Sequence, residues 1–519
     1  SNVQNQNPNG IENCYYLKLG DEAYETSSLG EGVVALTSEE FAVELKFNNF
    51  SFSVTDVYDS VWTMEQGYPE LVSANDIAKS TRAMVRYDDG TFTYIFGVNA
   101  HLGAKTNPYL IANAEDFNFY FNQDYKETDK VIDNKYYRII SDIDFNDVAG
   151  DNMTKDVTLC NVSIDGNGYK LSNIRINSSA NDSETLSIGL FKKIYADSAN
   201  GKFTTIKNLS LHILEANALN VSYMGGLAGI VEDTNLLNIN VSSDSVMQAY
   251  NVVGGLAGII NGQSVLNRIN SSASVQAVYK ASEKQEKPLV YDKQENVRKI
   301  SHAGSVAGIV DLSTELPYEE FVLINNANIK FVSVSGDVSV SGEYVGGVFG
   351  YLGESSAVYD ISFEVKYDDS ENRQQIYSTY CAGGIVGVNY GSINHAKVRH
   401  SDEGQAKVDN AIKTYLKTGA TGNFGKTNLF NGKLWYVGGV VGINYGGIVT
   451  NSYTRVDIID PNISGDLDEV TEQYFGGLVG VTYGGEISSA YASGNIVTKA
   501  SETEENDNYY AGGLIGRVN

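Results

Sequence analysis

Gly476-Gly477-Leu478-Val479-Gly480, followed a few residues later by Gly485-Glu486-Ile487-Ser488-Ser489-Ala490-Tyr491, is the stretch whose reading decides the fold. The first element recurs from Gly225, Gly254, Gly346, Gly383, Gly438 and Gly512, and in degenerate form from Gly304, where Ser305 replaces the second glycine. The second element recurs with one extra residue between Gly446 and Tyr453. Successive first glycines lie 29 residues apart from 225 to 254, 38 apart from 438 to 476 and 36 apart from 476 to 512. A fixed core with variable connections is the signature of a repeat array. The repeated segments run apolar with β-branched residues and end in glycine, so each unit reads as strand, turn, strand, and a helical repeat is excluded.

One arrangement satisfies every copy at once. Short strands coil about an axis, and each turn of the coil hydrogen-bonds to the one before at the ordinary strand spacing of about 4.8 Å. Valine, leucine and isoleucine fill the inside, and glycine lets neighbouring turns approach closely. Recurrent Asn, Ser and Tyr positions then stack into ladders, with asparagine amides satisfying one another from turn to turn. The fold class read from the sequence is all-β, a parallel β-helix or solenoid with a small N-terminal β-rich cap region.

Composition agrees and narrows the partners. The 6 prolines against 52 glycines and 35 tyrosines point to many short strands and little helix. The 64 acidic and 37 basic side chains give a formal charge of -27, which repels nucleic acid and anionic membranes. No Lys/Arg-rich run offsets it, so neither nucleic acid nor membrane insertion is expected; no apolar run of about 18 residues and no charged-then-apolar leader is read. Cys14, Cys160 and Cys381 lie far apart and form no disulfide framework or metal-ligand spacing.

The two elements, in this order, resemble the GLUG repeat of bacterial surface and adhesin-like proteins and of some immunoglobulin-A-cleaving metallopeptidases. The resemblance covers at least residues 221–519. It implies a right-handed parallel β-helix at the cell surface, extracellular, with a structural or adhesive role and no enzymatic activity. A metallopeptidase of this kind would need His-Glu-x-x-His, which the chain lacks. Upstream, Asn107-Pro108-Tyr109-Leu110-Ile111, Tyr136-Tyr137-Arg138-Ile139-Ile140 and Ile164-Asp165-Gly166-Asn167-Gly168-Tyr169 read as its first turns. The solenoid is therefore expected over 105–519, after an N-terminal β-rich segment over 1–104, with loop insertions near 277–300, 401–433 and 456–473. Binding residues concentrate on such loops.

The two ends read as halves of one repeat. Tyr510-Ala511-Gly512-Gly513-Leu514-Ile515-Gly516 carries the first element without the second, and Asn9-Gly10-Ile11-Glu12-Asn13-Cys14-Tyr15-Tyr16 has the form of the second without the first. Leu36 to Phe41 and Val61 to Leu71 resemble the segment that closes an array in this family. An open solenoid edge favours pairing with another strand. The expectation is a head-to-tail homopolymer joined by Ile11, Asn13, Cys14, Tyr15 and Tyr16 of one molecule and Tyr510, Gly512, Gly513, Leu514 and Ile515 of the next. The alternatives are the same join made covalently in a longer tandem protein, or a fold-back of the N-terminal segment onto its own chain. A host glycan or protein is the further expected partner.

Other chemistry is weaker. Gly-Gly-x-x-Gly superficially resembles a nucleotide loop, but eight copies without Gly-Lys-Ser/Thr are structural. Asp142, Asp144, Asp147 and Asp151, and Asp457, Asp460, Asp466, Asp468 and Glu469, form acidic clusters that suit solvated loops first. Calcium is the next reading, and carboxylate catalysis on a glycan the third. His395 and His400 read as loop or strand residues. No catalytic residue, cofactor or metal ligand is assigned. A glycan-active β-helix enzyme would require a groove with two carboxylates and a basic residue, and a glycan-binding module an exposed cluster of aromatic rings on one face.

Overall fold

The computed structural model describes strand segments at 14–17, 33–36, 62–63, 70–71, 82–86 and 92–96, residue 105, and the stretches 108–122, 130–147, 156–178, 187–278, 301–311, 327–365, 376–400, 416–418, 434–456, 458–459, 472–497 and 508–519. From residue 108 onward these form a parallel β-solenoid. One face is an eleven-stranded sheet with a single strand from each turn, running from Lys130–Asp133 through Val157–Cys160 and Phe191–Tyr195 to Val479–Tyr483 and Ile515–Val518. Ten spacings of about 4.8 Å make this face roughly 48 Å long.

Each later turn repeats one path. A first strand ends on the first glycine, as Tyr223–Gly225 does, and the chain bends through the second glycine into a return strand, Ala228–Glu232. A long strand, Thr234–Ser243, and a short one, Met247–Ala249, complete the turn. Gly225, Gly254, Gly304, Gly346, Gly383, Gly438, Gly476 and Gly512 are successive partners in one unbroken row. The bend explains the second glycine. A Cβ built on Gly226, Gly347, Gly384, Gly439 or Gly477 would lie 2.0–2.4 Å from the carbonyl oxygen of the equivalent residue one turn on. Among the eight copies Ser305 alone carries a side chain at this position, and its hydroxyl is accommodated by bonds to the Ala273 carbonyl and the Ser271 hydroxyl, both at 2.8 Å.

The inside is a continuous apolar column. In one turn it is filled by Val253, Leu256, Ala257, Ile260, Leu266 and Ile269, all fully buried, and like residues stack above and below. A helix the sequence reading did not contain, Ala114–Asn122, packs on the first turns. Asn113 caps it, its Oδ1 accepting from the Asp116 amide while the Asp116 carboxylate accepts from the Ala112 amide. Phe117 and Phe121 are both 1% exposed and pack against Phe191, with Phe117 also on Phe145 and Phe121 on Tyr137.

Two of the segments read as insertions contribute a strand to the coil. Leu416–Thr418, inside 401–433, pairs with Ile376–Ser378, and Ile458, inside 456–473, pairs with Leu416 and Ile496. Before residue 105, Cys14–Leu17 pairs in parallel with Val33–Leu36, and two antiparallel pairs follow, Trp62–Thr63 with Glu70–Leu71 and Arg82–Arg86 with Phe92–Phe96.

Candidate functional site: the outward ladders

Stacked side chains form three recurring rows, two of which point away from the column. The first row fills the concave outer side of the glycine bend. Two residues before each first glycine stand Tyr223, Val252, His302, Tyr344, Cys381, Tyr436, Tyr474 and Tyr510, stacked as partners. Facing them across the bend are Ile230, Ile259, Ile309, Tyr351, Val388, Ile443, Val481 and Arg517. From Val252 to Tyr474 on one side and from Ile259 to Val481 on the other they make a second, outer core. The rings of Tyr436 and Tyr474 stack at 5.7 Å and 8°, and those of Tyr474 and Tyr510 at 5.0 Å and 11°. Tyr390, Tyr445 and Tyr483 continue the stack alongside, at 5.1 and 4.8 Å.

Burial sets the electrostatics of this row. It pushes the His302 imidazole down to about 3, so the ring is neutral between Tyr344 and Tyr351. The same cause pushes the Tyr351, Tyr380 and Tyr436 phenols and the Cys381 thiol upward. A thiol held in its neutral form is a packing group, not a nucleophile.

The second row holds asparagine ladders, one at the inside corner of the coil, where Asn389 and Asn444 follow Ile260, Val310 and Leu352 of the column in register, and one on the long strand. The Asn389 amide donates to Asn444 Oδ1 at 2.7 Å, and Asn444 donates in turn to the Gly447 carbonyl and the Thr482 hydroxyl. Both asparagines are fully buried. On the long strand Asn270 donates to Asn240 Oδ1 at 2.9 Å and Asn240 to Ser210 at 3.1 Å.

The third row is a corner in the middle of the long strand. Asn208, Asn238, Arg268, Phe331, Asp360, His395, Asn451 and Ser489 occupy it in eight consecutive turns, all with φ between +50° and +64°. Asn, Asp and His tolerate this left-handed conformation, but Phe331 and Arg268 are unfavourable there by about 1–2 kcal/mol each. Asn238 donates to Asn208 at 3.0 Å as the row predicts. Phe331 and Tyr359 project into solvent at 47% and 46% exposure. Their rings lie 6.5 Å apart, nearly perpendicular, and the His395 ring is 6.0 Å beyond Tyr359. Asp360 accepts from Lys397 at 2.8 Å and faces His395 Nδ1 at 3.2 Å, and Arg399 pairs with Glu364 at 2.6 Å.

The sequence-derived site residues divide between described and undescribed segments. Tyr510, Gly512, Gly513, Leu514 and Ile515 form the last described turn: Asn508–Gly512 pairs with Glu472–Gly476, and Ile515–Val518 with Val479–Tyr483. Tyr510 and Leu514 are exposed, Ile515 packs on the column, and a Cβ on Gly513 would meet nothing within 4 Å. Cys14, Tyr15 and Tyr16 lie in the strand that pairs with Val33–Leu36, and no pairing between that strand and the last turn is found among the described residues. Ile11 and Asn13 lie outside the described residues, as do Asp151, Asp457, Asp460, Asp466, Asp468 and Glu469.

In the first acidic cluster two carboxylates serve as caps. Asp144 Oδ1 accepts from Asn173 at 2.7 Å and from the Asn146 amide at 2.9 Å, which together hold its carboxyl below the usual range. Asp142 accepts from the Lys170 amide at 2.8 Å. Among the described residues no group of three or more His, Cys, Asp or Glu side chains is arranged to hold a metal ion, and no helix is long and apolar enough to cross a membrane. His395 and His400 both fall in the strand Ser392–His400.

The GLUG motif model matches residues 434–459 and 471–497, two consecutive turns of the coil. The chain thus carries GLUG repeats, and their glycines share one ladder with the six other copies. No curated protein matches the chain significantly. Among solved structures, a candidate immunoglobulin A1 protease from Bacteroides ovatus is similar over 58% of this chain and 77% of its own, at 16% identity and a TM-score of 0.38.

Proposed function

We propose that this chain is an extracellular, cell-surface solenoid that works as a rigid structural and adhesive element and not as an enzyme. One observation carries the reading: the glycine row keeps one-to-one register although successive first glycines are separated by anything from 29 residues (225 to 254) to 55 (383 to 438). The coil is constant and the excursions vary, as in a scaffold that displays loops. The polar side chains of the coil support it further, because the buried Asn, Ser and Tyr positions spend their hydrogen bonds and ring faces on the neighbouring turn.

The finer role is a head-to-tail fibre subunit or stalk, with Ile11, Asn13, Cys14, Tyr15 and Tyr16 of one copy seated on Tyr510, Gly512, Gly513, Leu514 and Ile515 of the next. Negative-stain microscopy tests both levels. Rods of uniform width support the scaffold, and compact round particles refute it. Periodic fibres that vanish on deletion of residues 1–16 support the join, and fibres unchanged by that deletion refute it.

A further inference from the structure

Outside the column, tyrosines stack in two neighbouring lines. Tyr344, Tyr380, Tyr436 and Tyr474 form a buried line. Tyr390, Tyr445 and Tyr483 form the other and are half-buried in three consecutive turns. The rings of Tyr445 and Tyr483 lie 4.8 Å apart and 9° from parallel. Because the two residues are register partners, the coil holds both backbones at that spacing. Each ring covers a face of the next, so the line offers edges, not faces, to a ligand. It also sets matching ring carbons of adjacent phenols side by side, the arrangement from which two phenoxyl radicals couple without a search.

What flanks the pair is the second observation. The Tyr436 hydroxyl is hydrogen-bonded to that of Tyr483, which joins the two lines at this point. From Tyr436 ring contacts continue to Tyr380 at 5.7 Å and to Tyr344 at 5.0 Å, so an electron vacancy formed on a buried ring has neighbours to pass to until it reaches the half-buried pair. The described sulfur groups, which oxidants otherwise attack first, are withdrawn: Cys160, Cys381, Met224 and Met247 are all buried, and burial keeps both thiols protonated.

We propose that Tyr445 and Tyr483 are a site of oxidative cross-linking, joined through a carbon–carbon bond between their rings, ortho to the hydroxyls, when a haem peroxidase oxidises the chain with hydrogen peroxide. Each phenol gives up one electron and one proton, and the two radicals join at their ortho carbons. The hydrogens on those carbons then move to the oxygens and restore two phenols. Peroxide takes up the two electrons and the two protons and leaves as two waters. The rings pivot out of the stack to make the bond, while the strands that carry them stay paired. The bond closes residues 446–482 into a loop and restrains the unfolded chain as a disulfide would.

Treatment of the full chain with a haem peroxidase and hydrogen peroxide, followed by digestion and mass spectrometry, tests this. The wild type should yield two peptides joined at Tyr445 and Tyr483, lighter by two hydrogens than their sum, from a chain that runs as a single chain on a denaturing gel. The treated chain should melt at a higher temperature than the untreated one. Tyr445→Phe keeps a ring in the stack and removes the phenol, so it should give at least tenfold less of this product while its circular dichroism matches the wild type. Tyr453→Phe, in the other stacked pair of the same two turns, should leave the yield unchanged. Absence of the joined peptides, joining found only at other tyrosines or only between separate chains, or an undiminished yield in Tyr445→Phe overturns the proposal.

Discussion

Gly384→Ala should be among the most damaging single-methyl additions in this chain. A Cβ at Gly384 would sit 2.0 Å from the Gly439 carbonyl oxygen and 2.9 Å from Val398 Cγ2. Ordinary contact distances require the two turns to part by about 1 Å, and the facing atom is backbone, which cannot swing aside as a side chain can. Three bonds tie this bend to the next turn: Gly384 to the Gly438 carbonyl at 3.2 Å, and Ile385 and Val386 to the Val440 carbonyl at 2.9 and 3.0 Å. A further 1 Å takes all three beyond hydrogen-bond range. With about 1–2 kcal/mol for each buried donor left unpaired, the loss is about 3–6 kcal/mol. Gly513→Ala, at the same motif position, meets no atom within 4 Å and should change stability by about 0.5 kcal/mol or less. Gly201→Ala meets no atom either but has φ +69°, so it isolates the left-handed cost at about 1 kcal/mol. Urea titrations followed by circular dichroism rank the three. Gly384→Ala within about 1 kcal/mol of wild type, or Gly513→Ala equally harmful, would refute the argument from close approach.

Acid should destabilise the outer core through His302. Its pKa in the folded chain, about 3, lies below the unfolded value near 6.5, so the unfolded chain binds the extra proton first. This contribution is intact above about pH 6.5 and falls by about 1.4 kcal/mol per pH unit toward pH 3. His302→Val, which places the residue of the preceding turn there, should lose less melting temperature between pH 7 and pH 5 than wild type; parallel pH profiles would contradict the assignment. Asn389→Ala removes the bond to Asn444 and the Asn389 Oδ1 acceptor of the Gly391 amide, in a fully buried ladder. A loss of about 2–4 kcal/mol in urea titration is expected, and a neutral result would show that the ladder adds nothing.

The parts legible in the sequence were those set by one residue type at one position. The second glycine is dictated by a carbonyl 2.0–2.4 Å from its missing Cβ, so it repeats, and the strand register follows from it. Tyrosine two residues before the glycine repeats because it stacks on its own kind, and asparagine because its amide both gives and accepts along the axis. What was not legible depends on geometry across turns. In the earlier turns that same row holds Val252, His302, Tyr344 and Cys381, with no common residue type to betray that they share an outer core. The corner row is equally mixed from Arg268 to His395, since a backbone kink needs a conformation and not a particular side chain. Arg268, Lys330 and Lys397 are scattered over more than a hundred residues of sequence, so their common face became visible only when the coil was wound. Leu416–Thr418 was hidden between long connections because three residues are too few to show a period. The helix Ala114–Asn122 announced itself only through the Asn113 cap.

Residues far apart in sequence advance along one axis by one strand spacing per turn. Asn240, Asn270, Ser333, Ser362, Lys397, Tyr453 and Tyr491 form a single outward row. With Cys14, Cys160 and Cys381 replaced, spin labels at Asn240→Cys paired in turn with Lys397→Cys, Tyr453→Cys and Tyr491→Cys span four, five and six spacings. Electron–electron dipolar distances of about 19, 24 and 29 Å, rising evenly, are predicted. Distances that scatter without this increment would contradict the account.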